Sequence, residues 1–188
     1  MEKFYTLESF KKIPNYSDVS IVFGGTFDPI HQGHIIDIKK LIEISNSVYL
    51  APTHQNPWKM TNPSPLEMRI EMISLTLAAE NISYELINDE TILSESKNTQ
   101  VKIITTPYTY AVDVLKTLGE QDVTNLFWAI GEDLIDSASK WMDWEEFGVP
   151  FIVLPLIDGY SATFVREKSI EPHSAIREFI QKNSLYKG

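Results

Sequence analysis

Ser20-Ile21-Val22-Phe23-Gly24-Gly25-Thr26-Phe27-Asp28-Pro29-Ile30-His31-Gln32-Gly33-His34 is the stretch from which the fold is read. Ile21, Val22 and Phe23 form an unbroken apolar run, as expected of a strand covered on both faces. Two glycines follow, then a segment in which Ile35, Ile38 and Ile42 recur at helical spacing. In an open α/β sheet, ligands bind past a strand's carboxyl end, at a helix N-terminus. Gly24 and Gly25 allow backbone N–H groups to approach a ligand without Cβ interference. The helix start adds a partial positive charge, and His31 and His34, three apart, can share one side of it. Together these read as donors converging on phosphate oxygens. The spacing is not that of a Walker loop, and the third glycine of the dinucleotide fingerprint is missing. A metal site built on the two histidines lacks an obvious further ligand. A glycine-containing turn with incidental histidines is the bland alternative.

Outward from this stretch, apolar runs alternate with helical patterns, which predicts an α/β fold with a mainly parallel sheet. Strands are expected at 20–23, 48–50, 82–86, 101–105, 126–130 and 151–154, and helices at 33–45, 66–80, 110–118, 133–144 and 175–182. Ser64-Pro65-Leu66-Glu67 reads as a capping box with Pro at the first helical position. Gly119 is expected to end its helix. Segments 52–63 and 88–100 are polar and read as loops. Residues 1–18 read as an N-terminal extension and 19–188 as a single domain. The strand at 151–154 is expected near a sheet edge, because 155–160 is too short for a helical crossover. Phe4, Tyr5, Leu7 and Phe10 of the extension are candidates to cover that edge.

The chain has 188 residues, 43% of them hydrophobic, enough for a sizeable core. It has no Cys, which excludes disulfides, Cys-ligated zinc and thiol catalysis and suits a reducing, cytoplasmic setting. No apolar run approaches the ~20 residues of a membrane span, and the start does not read as a secretory signal. The formal net charge of -10 disfavours broad binding to nucleic acid or anionic membranes, though not one local anion site.

Gly-Gly-Thr-Phe-Asp-Pro-Ile-His-Gln-Gly-His at 24–34 resembles the HxGH nucleotidyltransferases, and within them the nicotinate or nicotinamide mononucleotide adenylyltransferases. His31 separates it from the sister pantetheine-phosphate enzymes, which usually have Thr there. The resemblance continues at Ser161-Ala162-Thr163-Phe164-Val165-Arg166, similar to a signature that closes over ATP phosphates. Gly131-Glu132-Asp133 is similar to a Gly-x-Asp that holds adenosine. Thr109-Tyr110-Ala111-Val112-Asp113 resembles a stretch near the pyridine site, and Trp141 falls where the family stacks a ring on the pyridine. The ending Ser184-Leu185-Tyr186 is also family-like.

The resemblance implies an open, Rossmann-like sheet with helices on both faces and a shortened C-terminal part. It implies transfer of AMP from ATP to a pyridine mononucleotide, with Mg²⁺ carried by the ATP phosphates and no protein metal site. His31, His34 and Arg166 are the expected catalytic residues. Gly24, Gly25, Thr26, Phe27, Gly33, Gly131, Asp133, Ser161 and Thr163 are expected at ATP. Trp58, Lys59, Thr109, Tyr110 and Trp141 are expected at the acceptor. The expected partners are ATP and the mononucleotide, with no nucleic acid and no membrane. The acceptor side departs from the family: Trp58 replaces a loop His, Ala111 a Thr, and Pro155-Leu156 an Arg. Two alternatives follow, another phosphorylated acceptor or a non-catalytic nucleotide sensor. Asp28 is open between shaping the turn and touching ligand. His54 reads as a solvated loop residue or an acceptor contact, His173 as surface, and Trp128 as core.

Overall fold

The apolar runs assemble into one sheet in the computed structural model, which describes residues 3–13, 18–54, 63–91, 99–138, 141 and 147–186. Among the described residues the sheet has seven strands: β1 (Phe4–Thr6), β2 (Ser20–Gly25), β3 (Ser47–Pro52), β4 (Tyr84–Ile87), β5 (Val101–Ile104), β6 (Leu126–Gly131) and β7 (Phe151–Leu154). Their order is β1-β7-β6-β2-β3-β5-β4, and every adjacent pair is parallel. The helices are α1 (Leu7–Phe10), α2 (Gln32–Glu43), α3 (Leu66–Ala79), α4 (Ala111–Glu120), α5 (Ile135–Ala138), α6 (Ala162–Arg166) and α7 (Arg177–Lys182).

Strand alternation divides the core in two. Ile21 and Phe23 of β2 pack with Phe10, with Ile35, Ile38 and Leu41 of α2 and with Met72, Ile73 and Leu77 of α3. Val22 packs on the opposite side with Tyr49, with Val114, Leu115 and Leu118 of α4 and with Trp128, Phe147 and Phe151. Both faces of the central strands are therefore buried, which is why their sequences run apolar without a break. No helix among the described residues is long and apolar enough to cross a membrane.

The amino-terminal residues add to the sheet beside the last strand. Phe4, Tyr5 and Thr6 pair in parallel with Phe151, Ile152 and Val153. Phe4 stacks on Phe151 at 5.1 Å, and Phe10, fully buried, meets Phe127 edge-on at 5.0 Å. Burial of such rings gives this short segment the apolar contact that a three-residue strand lacks by itself.

Four local expectations are corrected. Pro65 is the N-cap of α3, with no side-chain cap bond. Ser64 is drawn away instead, its N–H donating to Asp28 at 3.1 Å. Gly119 lies inside the last turn of α4, and the chain turns at Asp122, with φ 58°. The segment after β6 begins as a 3₁₀ turn, Glu132–Leu134, before the single turn of α5; of the expected helix beyond Ala138, only Trp141 is described. His173 is half-buried rather than on the surface. Its Nε2 lies 3.0 Å from Glu80, and its Nδ1 accepts from the Ala175 N–H.

Candidate active site

β2 is flanked by β3 on one side and β6 on the other. The chain leaves β2 to build both halves of the sheet, so a crevice opens at the carboxyl ends of β2 and β6, where ligands bind in such sheets. Gly24 to His34 and Gly131 to Asp133 both lie at that end.

The turn after β2 is held by buried groups. Phe27 sits at φ 49°, a region that costs a non-glycine residue roughly 1–3 kcal/mol. Its ring is 1% exposed, meets Phe23 edge-on at 5.6 Å and lies 4.9 Å from the His34 ring, so burial offsets the strain. The Asp28–Pro29 bond is cis. Asp28 is 6% exposed, and its carboxylate accepts from the Tyr186 hydroxyl at 2.6 Å and the Ser64 N–H at 3.1 Å. Asp28 thus shapes the turn. Arg69, fully buried on α3, donates to four carbonyls: Thr26 at 2.7 Å, Thr53 and Ser64 at 2.8 Å, and His54 at 3.2 Å. This guanidinium ties the turn after β2, the end of β3 and the start of α3 into one unit. Nothing in the sequence marks it, since one Arg in an amphipathic helix resembles any solvated charge.

His31 and His34 stack at 3.7 Å between ring centroids. The His31 N–H donates to His34 Nδ1 at 3.3 Å. His34 therefore carries its proton on Nε2 when neutral, leaving that edge as the donor. Burial pushes His31 down to about 4. Burial first, and then repulsion from His31, hold His34 well below its usual value. Both are neutral near pH 7 in the free protein. His31 Nδ1 is buried without a partner among the described residues, an unmet polar group at the crevice.

α6 brings the second signature to the first. Ser161 caps α6 by accepting from the Phe164 N–H at 3.3 Å. Arg166 donates to the Asp28 carbonyl at 2.5 Å and to Thr163 Oγ1 at 3.0 Å. Residues 138 apart in sequence are thereby joined. Gly33 lies beneath Tyr160, since a Cβ there would meet Tyr160 Cβ and the His31 ring at 3.1 Å. Across the crevice, Gly131 precedes the 3₁₀ turn and Asp133 is exposed, its carboxylate folded back toward Gly131.

A second cleft lies between the ends of β3, β5 and β6 and the start of α4. Ala51, Ile104, Tyr108, Tyr110, Ala111 and Trp128 are among its walls. Thr109 is half-buried beside it in sequence. The loop before α4 is pinned at both sides. Tyr108 and Thr106 hydroxyls donate to Asp89 at 2.5 and 2.7 Å, and the His54 N–H donates to the Tyr108 carbonyl at 2.7 Å. Burial, then the bond to Asp89, push the Tyr108 hydroxyl up to about 12, so it stays a donor. His54 itself is exposed. Trp141 is half-buried and meets Trp128, Phe147 and Phe151 edge-on. Trp58 and Lys59 lie outside the described residues.

The chain is similar to known proteins in both sequence and fold. The family model described as cytidylyltransferase-like matches residues 22–168. A probable nicotinate-nucleotide adenylyltransferase of Pelagibacter ubique is 27% identical over 127 residues, 66% of this chain and 62% of that protein. A similarly named protein of Shewanella woodyi is 30% identical over 144 residues, 74% and 63%. That of Methylacidiphilum infernorum is 27% identical over 197 residues, 88% and 90%. The chain thus spans about six-tenths of the length of the first two of these relatives. In fold it is similar to a Plasmodium falciparum nicotinic acid mononucleotide adenylyltransferase complexed with NaAD. The TM-score is 0.64 at 15% identity, over 90% of this chain and 97% of that one. A Francisella tularensis bifunctional NMN adenylyltransferase/ADP ribose pyrophosphatase gives 0.54 at 19% identity, over 81% and 42%. The two-faced parallel sheet, the motif at the end of its central strand and the match over most of the chain agree: the chain belongs to the cytidylyltransferase-like family.

Proposed function

We propose that this protein transfers AMP from ATP to nicotinate mononucleotide, forming the dinucleotide and releasing pyrophosphate, in the biosynthesis of NAD. The observation that carries this reading is the convergence of His31, His34 and Arg166 on the turn after β2. The names of the relatives support the choice of acceptor.

In this reaction a phosphate oxygen of the mononucleotide attacks the α-phosphorus of ATP. A new P–O bond forms, and the bond from the α-phosphorus to the bridging oxygen breaks. Its electron pair leaves with pyrophosphate. The attacking oxygen is already anionic, so the protein needs no base and no nucleophile. It has to hold two anions in line and stabilise charge on the transferring group. The Nε2–H of His34 serves the α- and β-phosphates, and His31 the outer ones. Approach of these anions raises the affinity of both imidazoles for protons, reversing the effect of burial. Arg166 stands ready beside Asp28, able to offer its planar donors to phosphate.

No three His, Asp or Glu side chains converge among the described residues. In this reading a divalent ion comes with the substrate, as Mg·ATP, where it neutralises phosphate charge. Gly131 and Asp133 take the adenosine, and the cleft between β3, β5 and α4 takes the acceptor. Trp58 and Lys59 belong to the acceptor side of this reading.

The test is incubation with Mg·ATP and either nicotinate or nicotinamide mononucleotide, with dinucleotide and pyrophosphate measured together. Equimolar formation of both products, faster with nicotinate mononucleotide, is expected. Pyrophosphate release with neither acceptor would overturn the reading in favour of another phosphorylated acceptor or a sensor.

A further inference from the structure

Trp128 occupies a place that the reading of β6 as a core strand does not explain. On the face of the sheet that carries Val22 and Tyr49, the next positions toward the carboxyl end are Gly24 and Ala51. These small residues leave a depression, and the Trp128 indole fills it. A Cβ on Gly24 would lie 2.3 Å from Cζ2 of Trp128 and 2.9 Å from Cη2, which no side chain can share with a six-membered ring. The indole is only 4% exposed, yet it forms part of the wall of the cleft that also contains Ala51, Tyr110 and Ala111. It also meets Trp141 at 6.2 Å and Phe147 at 5.6 Å, both edge-on. Edge-on aromatic contacts of this kind hold a ring in one orientation.

We propose that Trp128 is a specificity-determining residue: its indole, seated on Gly24, forms part of the wall of the acceptor-base cleft and restricts the size of the base admitted there. The proposal rests on the assignment of this cleft to the acceptor. It gives Gly24 a role that the sequence does not suggest. The glycine is required by a side chain of the protein itself, and the phosphate turn and the acceptor wall share one contact.

The experiment uses the full chain, Mg·ATP, and two acceptors: nicotinate mononucleotide and an analogue whose base is a fused bicyclic quinoline carboxylate. Wild type, Trp128→Phe, Gly24→Ala and the double variant are compared. Trp128→Phe is expected to raise the quinoline-to-nicotinate ratio of kcat/KM at least tenfold. That ratio does not depend on how much of a preparation is folded. Gly24→Ala is expected to lose at least a hundredfold in kcat/KM, and the double variant to regain at least tenfold of that loss. An unchanged ratio, or a double variant no better than Gly24→Ala, overturns the proposal. A second measurement covers a Trp128→Phe chain that does not fold. Trp128→Tyr, closer in size to the indole, is expected to raise the same ratio at least threefold, and an unchanged ratio there overturns the proposal. Failure of the proposed function looks different: wild type would then turn over neither acceptor.

Discussion

The turn after β2 and the cleft beside α4 sit at the same end of one sheet, yet they are built in different ways. The turn is held by polar contacts from far along the chain: Arg69 reaches four carbonyls, Tyr186 and Ser64 hold the Asp28 carboxylate, and Arg166 grips the Asp28 carbonyl. The cleft has mostly apolar walls; its rim is pinned by Asp89 and by the His54 N–H, and Arg69 reaches it at the Thr53 carbonyl. A site for phosphate needs fixed donors, because preorganisation is what makes them effective on developing charge. A site for a flat base needs a shaped surface, and shape is free to change with one or two side chains. On the proposed function, the difference fits a motif at 24–34 that resembles its family closely beside expected departures at Trp58, Ala111 and Pro155-Leu156.

The contrast is broken most directly at Arg69. Arg69→Met keeps the buried stem and strips four carbonyls of their donor. We expect stability to fall by about 3–5 kcal/mol, since each buried group left unpaired costs ~1–3 kcal/mol and some relax onto water. Urea unfolding measures this. In the folded fraction, KM should rise for both ATP and acceptor, because the guanidinium joins the turn to the end of β3. A rise for ATP alone would show the two regions to be independent.

Next comes His34→Ala, which removes one preorganised donor. The expected loss is ~10²–10³ in kcat. The circular dichroism spectrum should stay that of the wild type. Near-normal kcat would place the transferring phosphate elsewhere.

The burial of two neutral imidazoles makes a third, smaller test. A folded-state pKa below the unfolded value means that the unfolded chain takes up protons first. Stability is then fully present above about pH 6.5 and is lost as pH falls toward about 4, the value for His31. We expect His31→Gln to reduce the loss across that window by about 1–2 kcal/mol, less than a fully buried ring would give, because solvent reaches part of the imidazole. Denaturant unfolding of wild type and variant at pH 7 and pH 4.5 measures the difference. Saturating Mg·ATP should shrink it further, since anions favour the protonated rings.

Tyr186→Phe is the mildest change. It removes one hydrogen bond to Asp28 and should cost about 1 kcal/mol. A rise of a few-fold in the KM for ATP, with that for the acceptor unchanged, would sharpen the distinction between the two regions. An equal rise in both would extend the reach of this tether across the crevice.

Taken by itself, the sequence determined the strand–glycine–helix unit, the parallel α/β class and the positions of most strands. Those features follow from period and burial, which are local: Ile21-Val22-Phe23 cannot be half-exposed, and Phe151 to Leu154 reads as a strand in any context. It also marked His31 and His34 by their place at a helix start after a strand, while Arg166 entered only through the resemblance of 161–166 to a family signature. The tertiary structure alone decided what each group touches. Ser64 has the pattern of a cap, but Asp28 takes its N–H, and Asp28 itself is divided between two roles until Tyr186 is brought beside it. Arg69 looks like a surface charge until four carbonyls surround it. Gly24 reads as room for a ligand, and the structure fills that room with an indole from a strand more than a hundred residues away. A local pattern records what a residue can do. Which partner completes it depends on contacts between distant segments, and these exist only once the sheet has closed its layers.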